Sequence, residues 1–279
     1  MIPVISTSAK AGASRISLSI DGVPLRRYIE LVTTLAERNI KARYRGSVLG
    51  VFWSLSNPLI MAGVYTLVFG TAFMPYFGGS LVNYALACFT GLVVITFFSQ
   101  ASGQALQSVV SNGSLVNKVR VPLSVFPIAT VAANLIQFVI GVVPVLVLVT
   151  AFVSHRLENV ALLIVPATAL LLVTVGASLV VSALFIYFRD LPYIYELVVF
   201  LLWMMSPVFY PVEIVPQKLK PYVELNPIAA IVTDIRQLAF NQGHIHLQAV
   251  ALPLLTGAVT VVAGAVIFVA LQRHAMDLL

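Results

Sequence analysis

The residues VALLIVPATALLLVTVGASLVVSALFIYF, positions 160–188, are the clearest indication of how this chain folds. They include no charged side chain, and they outnumber the roughly 20 apolar residues with which an α-helix crosses the hydrocarbon core of a bilayer. Their apolar character is continuous, whereas strands of a membrane barrel alternate apolar and polar residues over about 10 positions. This stretch therefore predicts a membrane-spanning α-helix.

Five similar runs flank this stretch, in a chain that is 60% hydrophobic and 9% charged with a mean hydropathy of +1.01. We predict an all-α, polytopic membrane protein with six transmembrane helices. The third run is too long for one upright helix, and its prolines predict a kink or an interfacial lead-in. The predicted spans cover 48–74, 81–98, 121–153, 160–188, 193–212 and 248–271.

The lysines and arginines are unevenly divided between the two sides of this predicted topology. An even number of spans places both termini on one side, which carries twelve of the 16 basic residues against four on the other. Basic residues accumulate on the cytoplasmic side of membrane proteins, so both termini are predicted to be cytoplasmic. The same asymmetry explains the pI of 9.6, and no nucleic-acid partner is expected.

An amphipathic helix is predicted at 24–47, after a flexible cytoplasmic N-terminus at 1–23. Apolar side chains such as Leu35 recur at helical spacing on one face, and basic side chains such as Arg38 and Lys41 occupy the other. Such a helix suits the inner surface of the membrane. Its composition favours a simple lipid-surface anchor, and a helix that also borders a cytoplasmic partner is the alternative.

The connection between the second and third spans is predicted to reach the cytoplasm as a segment at 108–121. Asn112, Gly113 and Ser114 supply turn or helix-capping chemistry, and the following LVNKVR favours one or two helical turns. A short helix at such a tip suits a groove on another protein. A plain connection without a partner is the alternative.

The stretch SPVFYPVEIVPQKLKPYVELNPIAAI, positions 206–231, stands between the last two spans and carries five prolines. Each proline lacks a backbone N–H and discourages helix continuation, so one ordinary spanning helix is excluded. Its apolar residues and its place beside a membrane-length run also argue against a merely solvated loop. On the predicted topology it lies on the outer side of the membrane.

Three longer motifs follow one another along the chain: KARYRGSVLGVFWSLSNPL at 41–59, SNGSLVNKVRVP at 111–122 and YFRDLPYIYELVVFLLWMMSPVFYPVEIVP at 187–216. Taken in this order, they resemble the membrane subunit of a type 2 ABC exporter. The similar branch exports lipid-linked polysaccharide such as O antigen, capsule or teichoic acid. The resemblance covers nearly the whole chain and implies a permease of the bacterial inner membrane that moves a lipid-linked glycan outward.

The resemblance also implies partners. It implies two copies of this chain and two copies of an ABC ATPase, which binds ATP and Mg²⁺ on a separate chain. No cofactor and no catalytic residue is expected on this chain, which is predicted not to be an enzyme. The family's contacts with the ATPase assign coupling to Arg38, Lys41, Asn112, Ser114, Leu115, Lys118 and Arg120.

The proline-rich stretch matches short re-entrant helices that the family places at the outer mouth of its channel. The predicted re-entrant segment covers 212–240, and a surface loop is the alternative for 218–226. Glu213, Glu224 and Asp234 are expected to face the aqueous mouth. The residues assigned to the outer gate are Pro211, Glu213, Pro216 and Pro227.

Aromatic side chains are concentrated around the fifth span, with nine between positions 185 and 210. Flat apolar faces with polar edges suit sugar rings, so we hypothesise that some of these side chains line a passage for the glycan. Interface anchoring and packing between helices are the competing explanations. Two polar residues of the third span are expected to face protein or water rather than lipid. The predicted passage residues are Tyr195, Trp203, Phe209, Tyr210, Asn134 and Gln137.

The sequence lacks motifs for chemistry on the chain itself. It contains no GxxxxGK followed by Ser or Thr, no HExxH and no CxxC pair, and Cys88 is the single cysteine. His244 and His246 are expected to be solvated, and no metal site is predicted. An ABC permease for small hydrophobic compounds is the alternative within transport, and a membrane-embedded glycolipid-modifying enzyme is the alternative of another class.

Overall fold

The computed structural model describes residues 19–20, 23–116, 121–240 and 247–272. The described chain is helical except for turns and two short antiparallel strands, β1 (Ser19–Ile20) and β2 (Val23–Pro24). The prediction of an all-α membrane protein is confirmed. The N-terminal segment 1–23, predicted to be flexible, lies mostly outside the described residues.

The helices follow one another from the second strand onward. Their bounds in the described residues are α1 (Leu25–Tyr44), α2 (Trp53–Phe73), α3 (Leu81–Ser108), α4 (Gly113–Val116), α5 (Val125–Gly141), α6 (Val143–Ser154), α7 (Leu157–Leu162), α8 (Ile164–Tyr187), α9 (Leu191–Met205), α10 (Lys220–Leu225), α11 (Pro227–Phe240) and α12 (Leu247–Gln272).

Four stretches of the described chain are long and apolar enough to cross a membrane. They are Gly50–Phe77, which is α2 with its flanking 3₁₀ turns, Leu81–Ser108, Leu157–Tyr187 and Leu252–Gln272. The pair α5 and α6, bent by 44°, makes a fifth if it is one broken span. α9 is apolar but shorter, with 15 residues. The chain is therefore a multi-pass helical membrane protein.

The bend between α5 and α6 confirms the kink predicted in the third run. Pro144 stands in the first turn of α6, where its missing N–H leaves no hydrogen bond unmade. The same residue cannot continue the hydrogen-bond ladder of α5, so the helix breaks there. Residues 121–124 precede α5 without helical structure, which is the predicted lead-in.

Two predicted run ends are wrong. The second predicted span is α3, which extends to Ser108 rather than to position 98. Polar residues in its last turns are buried and make hydrogen bonds within the protein. Ser102 is fully buried, and its hydroxyl is hydrogen-bonded to another helix. The fifth predicted span is α9, which ends at Met205 rather than at position 212. It ends there because Pro207 restricts Ser206 to extended backbone, with φ −89° and ψ 138°.

α3 lies at the centre of the packing. It contacts α2, α5, α8, α9 and α11, and it buries large side chains such as Tyr84 and Phe89. α8 and α12 pack very closely, since a Cβ at Gly176 would lie 2.4 Å from the carbonyl oxygen of Thr260. Small residues at such a crossing let two backbones approach in a membrane, where close packing replaces the hydrophobic effect between helices.

The proline-rich stretch forms a 3₁₀ turn at Val212–Ile214 and then α10 and α11. α10 buries no residue, whereas α11 packs against α3, α6, α8 and α12 and buries Ile231 and Ile235. The expectation that Asp234 faces the aqueous mouth is wrong. Its side chain is 7% exposed, and Oδ2 has no hydrogen-bond partner among the described residues. Helical spacing places it on the packed face, three positions after Ile231.

Candidate functional site

A groove of about 610 Å³ lies between α2 and α9, with α3 as its floor; we call it the central groove. α9 presents one face to it, because the contributing positions recur three or four residues apart. Two predicted passage residues are among them. The α9 residues that line the groove are Pro192, Tyr195, Glu196, Val199, Phe200 and Trp203.

The central groove has polar groups in its wall although both flanking helices are apolar. Glu196 of α9 is the one formal charge within the six predicted spans, and Asn57 of α2 and Gln107 of α3 line the same groove. A carboxylate in contact with lipid tails is costly, so charged residues in spans face a protein interior or a water-filled space. This face of the molecule is therefore unsuited to lipid alone.

Tyr195 ties α9 to the floor of the central groove. Its hydroxyl shares a hydrogen bond of 2.5 Å with Ser102 Oγ and donates to the carbonyl oxygen of Ser99 at 3.3 Å. Gly103 leaves room for the ring, since a Cβ there would lie 3.3 Å from Tyr195 Cε1. The ring is half-buried and belongs both to the groove wall and to helix packing.

The other predicted aromatic residues form a cluster at the Trp203 end of the groove. The ring of Phe209 lies 5.3 Å from that of Tyr65, 6.3 Å from that of Trp203 and 5.3 Å from that of Tyr210, centroid to centroid. Tyr210 donates its hydroxyl to the carbonyl oxygen of Met204 at 3.1 Å. Phe209 and Tyr210 thus pack behind the groove wall, whereas Trp203 and Tyr65 reach it.

Asn134 and Gln137 lie in a buried polar cluster and not in the central groove. They are 4% and 6% exposed, in agreement with the expectation that they face protein or water. Arg43 Nη1 donates to Asn134 Oδ1 at 3.0 Å and to Gln137 Oε1 at 2.6 Å, and its Nη2 donates to Gln104 Oε1. Asn134 Nδ2 also donates to Gln104 Oε1 at 3.0 Å.

Arg43 was missed by sequence reasoning, although its position carried a signal. It stands seven residues after Ala36 and three after Ile40, so it continues the apolar stripe of α1 rather than the basic face. An arginine on an apolar stripe needs a polar partner in the protein. Here the partners are Gln104 of α3 and Asn134 and Gln137 of α5.

Several of the predicted coupling residues meet where α1 adjoins the chain after α3. Arg38 Nη2 donates to Asn112 Oδ1 at 2.8 Å, and Asn112 Nδ2 donates to the carbonyl oxygen of Ser108 at 2.8 Å. Ser114 is exposed, whereas Leu115 packs against the apolar cluster between α1 and α5. The remaining coupling residues of this segment, Lys118 and Arg120, lie outside the described residues.

The exposed face of α1 beside this contact is basic and concave. A depression of about 430 Å³ is lined by Glu37, Arg38, Lys41 and Arg45, among others. The Lys41 ammonium donates a 2.6 Å hydrogen bond to Glu37 Oε1 and holds the pKa of that carboxyl below its usual range. The pairing neutralises one carboxylate and leaves a surplus of positive charge on this face.

The residues assigned to the outer gate are spread along the proline-rich stretch. Pro211 is buried, Pro227 is half-buried, and Glu213 and Pro216 are exposed. The chain beside Pro211 is held by Arg236 of α11, whose Nη2 donates to the carbonyl oxygen of Val208 at 2.6 Å. The structure thus links α11 to the end of α9 at this point.

Metal-binding and redox chemistry find no support in the part of the chain that the structure describes. No group of three or more His, Cys, Asp or Glu side chains there could hold a metal ion. Cys88 is buried in α3. His244 and His246 lie outside the described residues.

Comparisons with known proteins agree on one family. The family model described as ABC-2 type transporter matches residues 30–240. The chain is similar to the O-antigen export system permease protein RfbA of Myxococcus xanthus, with 30% identity over 219 residues, 78% of this chain and 83% of that protein. It is 27% identical over 252 residues to the protein of the same name from Klebsiella pneumoniae, covering 90% of this chain and 95% of that protein.

A third relative carries a different name. The capsule polysaccharide export inner-membrane protein CtrC of Neisseria meningitidis is 26% identical over 207 residues, covering 71% of this chain and 74% of that protein. All three similarities extend over most of both chains. They therefore concern most of the chain and not one motif.

Proposed function

The chain belongs to the ABC-2 type transporter family, and from this premise we propose that it forms the membrane passage of an exporter for lipid-linked polysaccharide. It is a permease subunit of a family without a nucleotide-binding domain, so ATP is hydrolysed on a separate ATPase subunit. The names of the relatives, which export O antigen or capsule polysaccharide, support this class of substrate. The location follows that of CtrC, in the bacterial inner membrane.

The observation that carries the proposal is the composition of the central groove. Tyr65, Tyr195 and Trp203 offer flat ring faces, and Glu196 and Asn57 offer hydrogen-bonding groups in the lining of the same groove. Sugar rings need both, because their C–H faces stack on aromatic rings while their hydroxyls need polar partners. A passage for apolar compounds has no need of a carboxylate in its wall.

The finer topology that we propose has six spans. Four single helices, the bent pair α5–α6 and the short α9 make six crossings, with the chain after α9 packed inward at Val208, which is 0% exposed. In this count α11, which has 14 residues and packs against α3, α6, α8 and α12, is not a crossing; it enters the membrane from the outer side and returns before α12. Both termini are then cytoplasmic, because the side on which they lie carries most of the basic residues. α1 is the amphipathic helix at the inner surface of the membrane.

A second copy of the chain closes the central groove in this proposal. α9 buries no residue in the single chain, and Glu196 stands in the groove that this helix borders. A twofold arrangement brings two such faces together around one passage and removes the carboxylates from lipid. The face formed by α1 and Asn112 lies at the cytoplasmic end and would receive the ATPase, two copies of which match the two permeases.

Narrowing the central groove tests the proposed route. Val199→Trp places an indole inside the groove, so surface glycan should fall severely while lipid-linked glycan accumulates in the cytoplasmic leaflet. Val262→Trp is the matched control, because Val262 lies on α12, is 64% exposed and does not line the groove. Surface glycan is measured by immunoblot, and copurification of the ATPase shows that the complex still assembles.

The same experiment includes deletion of the gene, which tests the function and not only the route. Deletion should abolish surface glycan, and the unaltered chain should restore it. Unchanged surface glycan after deletion would exclude polysaccharide export as the function. Normal export by an assembled Val199→Trp complex would leave the function intact and exclude the central groove as the route.

A further inference from the structure

A second concave surface lies away from the central groove and shares none of its lining residues. Two adjoining cavities of about 590 and 500 Å³ have Tyr76, Phe77 and Phe240 in common. We call their joint surface the aromatic bowl. Its polar lining residues are Asn83, His155, Glu213, Thr233, Arg236 and Gln237.

The aromatic bowl is built from chain ends and connections rather than from span centres. Tyr76 and Phe77 belong to the turn after α2, which closes on Gly78 with φ +67°. His155 follows α6 in a left-handed conformation, and Phe240 ends α11. In the topology proposed above, all of these positions are on the outer side of the membrane, opposite α1.

Arg236 fixes the geometry of the bowl. Its Nε and Nη2 donate to the carbonyl oxygen of Ala87 at 3.1 and 2.9 Å, and Nη2 also donates to that of Val208 at 2.6 Å. Its guanidinium carbon lies 5.9 Å from the ring centroid of Phe77. Nη1 makes no hydrogen bond to a described residue, so its two donors remain available at the cavity surface.

The remaining groups of the bowl define the chemistry of a ligand. Ring faces from Tyr76 and Phe240 offer stacking surfaces, and Tyr76 is 51% exposed. Gln237 and Arg236 Nη1 donate hydrogen bonds, whereas the Glu213 carboxylate accepts them. The Glu213 carboxylate offsets the positive charge of Arg236 in the same cavity, so the pair gives no surplus of positive charge to hold a free phosphate, and a lipid tail would leave the polar groups unpaired. A neutral sugar ring with neighbouring hydroxyls matches both kinds of group.

We propose that the aromatic bowl binds a sugar unit of the exported glycan after it leaves the passage, and so acts as an exit site. The inference rests on the proposed function for the identity of the glycan. A sugar held on the outer face opposes backward sliding of the polymer between cycles of the ATPase. The exit site gives a function to the turn after α2 and to the end of α11, neither of which contributes to the central groove.

Site-specific photocrosslinking in exporting cells tests the exit site. A benzophenone amino acid replaces Tyr76 or Phe240 in the bowl, Trp203 in the central groove, or Tyr222 on α10. Tyr222 is the matched control, because it is a tyrosine on the same side, is 61% exposed and does not line the bowl. Captured glycan is detected on the purified permease as a periodate-sensitive mass ladder.

We expect glycan on the permease with the photoreactive group at Tyr76 or Phe240, and none with it at Tyr222. Adding Tyr76→Ala to the Phe240 probe should lower the captured glycan roughly three- to tenfold, the effect of one lost stacking contact. Adding Tyr222→Ala should not change it. Two outcomes would overturn the exit site and leave the proposed function standing. In the first, the probes in the bowl capture only phospholipid; in the second, they capture nothing while the Trp203 probe captures glycan. Export that continues without the gene would instead remove the proposed function.

Discussion

At the scale of single residues, Arg43 connects α1 to α3 and α5. Its guanidinium contacts three side-chain amides, from Gln104 on α3 and from Asn134 and Gln137 on α5. These amide oxygens replace the water that a charged side chain loses on leaving the membrane surface. A movement of α1 is therefore transmitted to two spans through one side chain.

Replacing Arg43 should destabilise the protein more than replacing an exposed arginine nearby. Arg43→Leu leaves Asn134 Oδ1 and Gln137 Oε1 without the donor they have here, whereas Gln104 Oε1 keeps the hydrogen bond from Asn134 Nδ2. The free energy of unfolding should fall by about 1–3 kcal/mol. Arg43→Lys should recover only part of the loss, because an ammonium lacks the planar fork that reaches several acceptors. Arg45→Leu is the matched control, since Arg45 directly follows the same helix and is exposed. Thermal melting of the purified permease is the measurement, and equal midpoints for Arg43→Leu and Arg45→Leu would contradict the assignment.

At the scale of helices, the crossing of α8 and α12 shows how packing is achieved between apolar surfaces. Gly176 and Gly264 face each other there, and a Cβ at Gly264 would lie 2.5 Å from the carbonyl oxygen of Gly176. In a membrane, lipid tails are as apolar as the helices, so close contact of the two backbones supplies the attraction. A single methyl group at this crossing has backbone atoms as neighbours, and these cannot move aside as a side chain would.

Enlarging Gly176 should therefore separate the two helices. Gly176→Leu is expected to lower the free energy of unfolding by about 1–3 kcal/mol or more, the usual cost of overpacking. Gly63→Ala in α2 is the control, because nothing lies within 4 Å of its added Cβ and helices favour Ala over Gly by roughly 0.5–1 kcal/mol. The measurement is the fraction of folded permease recovered in detergent after heating. Recovery of Gly176→Leu equal to that of the unaltered chain would show that the helices tolerate separation.

At the scale of the whole molecule, the exposed apolar surface is divided between faces of different character. α12 exposes Val259 and Val262 without an acidic or basic residue nearby on the helix, which suits lipid. α9 exposes Phe200 and Leu201 as well, but Glu196 lies on the same helix. The proposed dimer therefore uses the α9 face and leaves α12 to the bilayer.

Cysteine crosslinking distinguishes these two faces. In a Cys88→Ala background, Phe200→Cys should give a crosslinked dimer with a flexible bifunctional thiol reagent in native membranes. Val262 on α12 is 64% exposed, and the Val262→Cys permease should remain monomeric under the same conditions. Crosslinked bands are read on a denaturing gel. The opposite pattern, with dimers only from Val262→Cys, would place the second copy against α12 and leave the central groove without a partner.

Local patterns located the apolar elements of this protein, although not all of their ends. The bilayer requires internally satisfied backbone over about 20 apolar residues, so continuous apolar runs alone indicated an all-α membrane chain, the start of α3 at Leu81 and a kink in the third run. The spacing of apolar residues likewise indicated α1. These features depend on residues that are close in sequence, and no distant contact can override them in lipid.

Contacts between distant residues were decided only by the tertiary structure. α3 continues through a polar segment because Ser102 and Gln104 meet Tyr195 and Arg43, whose positions no local pattern reveals. Arg43 and Gln137 are separated by 94 residues in sequence and by 2.6 Å between hydrogen-bonded atoms. The aromatic bowl likewise assembles from three connections that are far apart along the chain. A buried polar group in a membrane protein needs a hydrogen-bond partner. The sequence shows which groups need one, but the packing of the helices determines which residue is the partner.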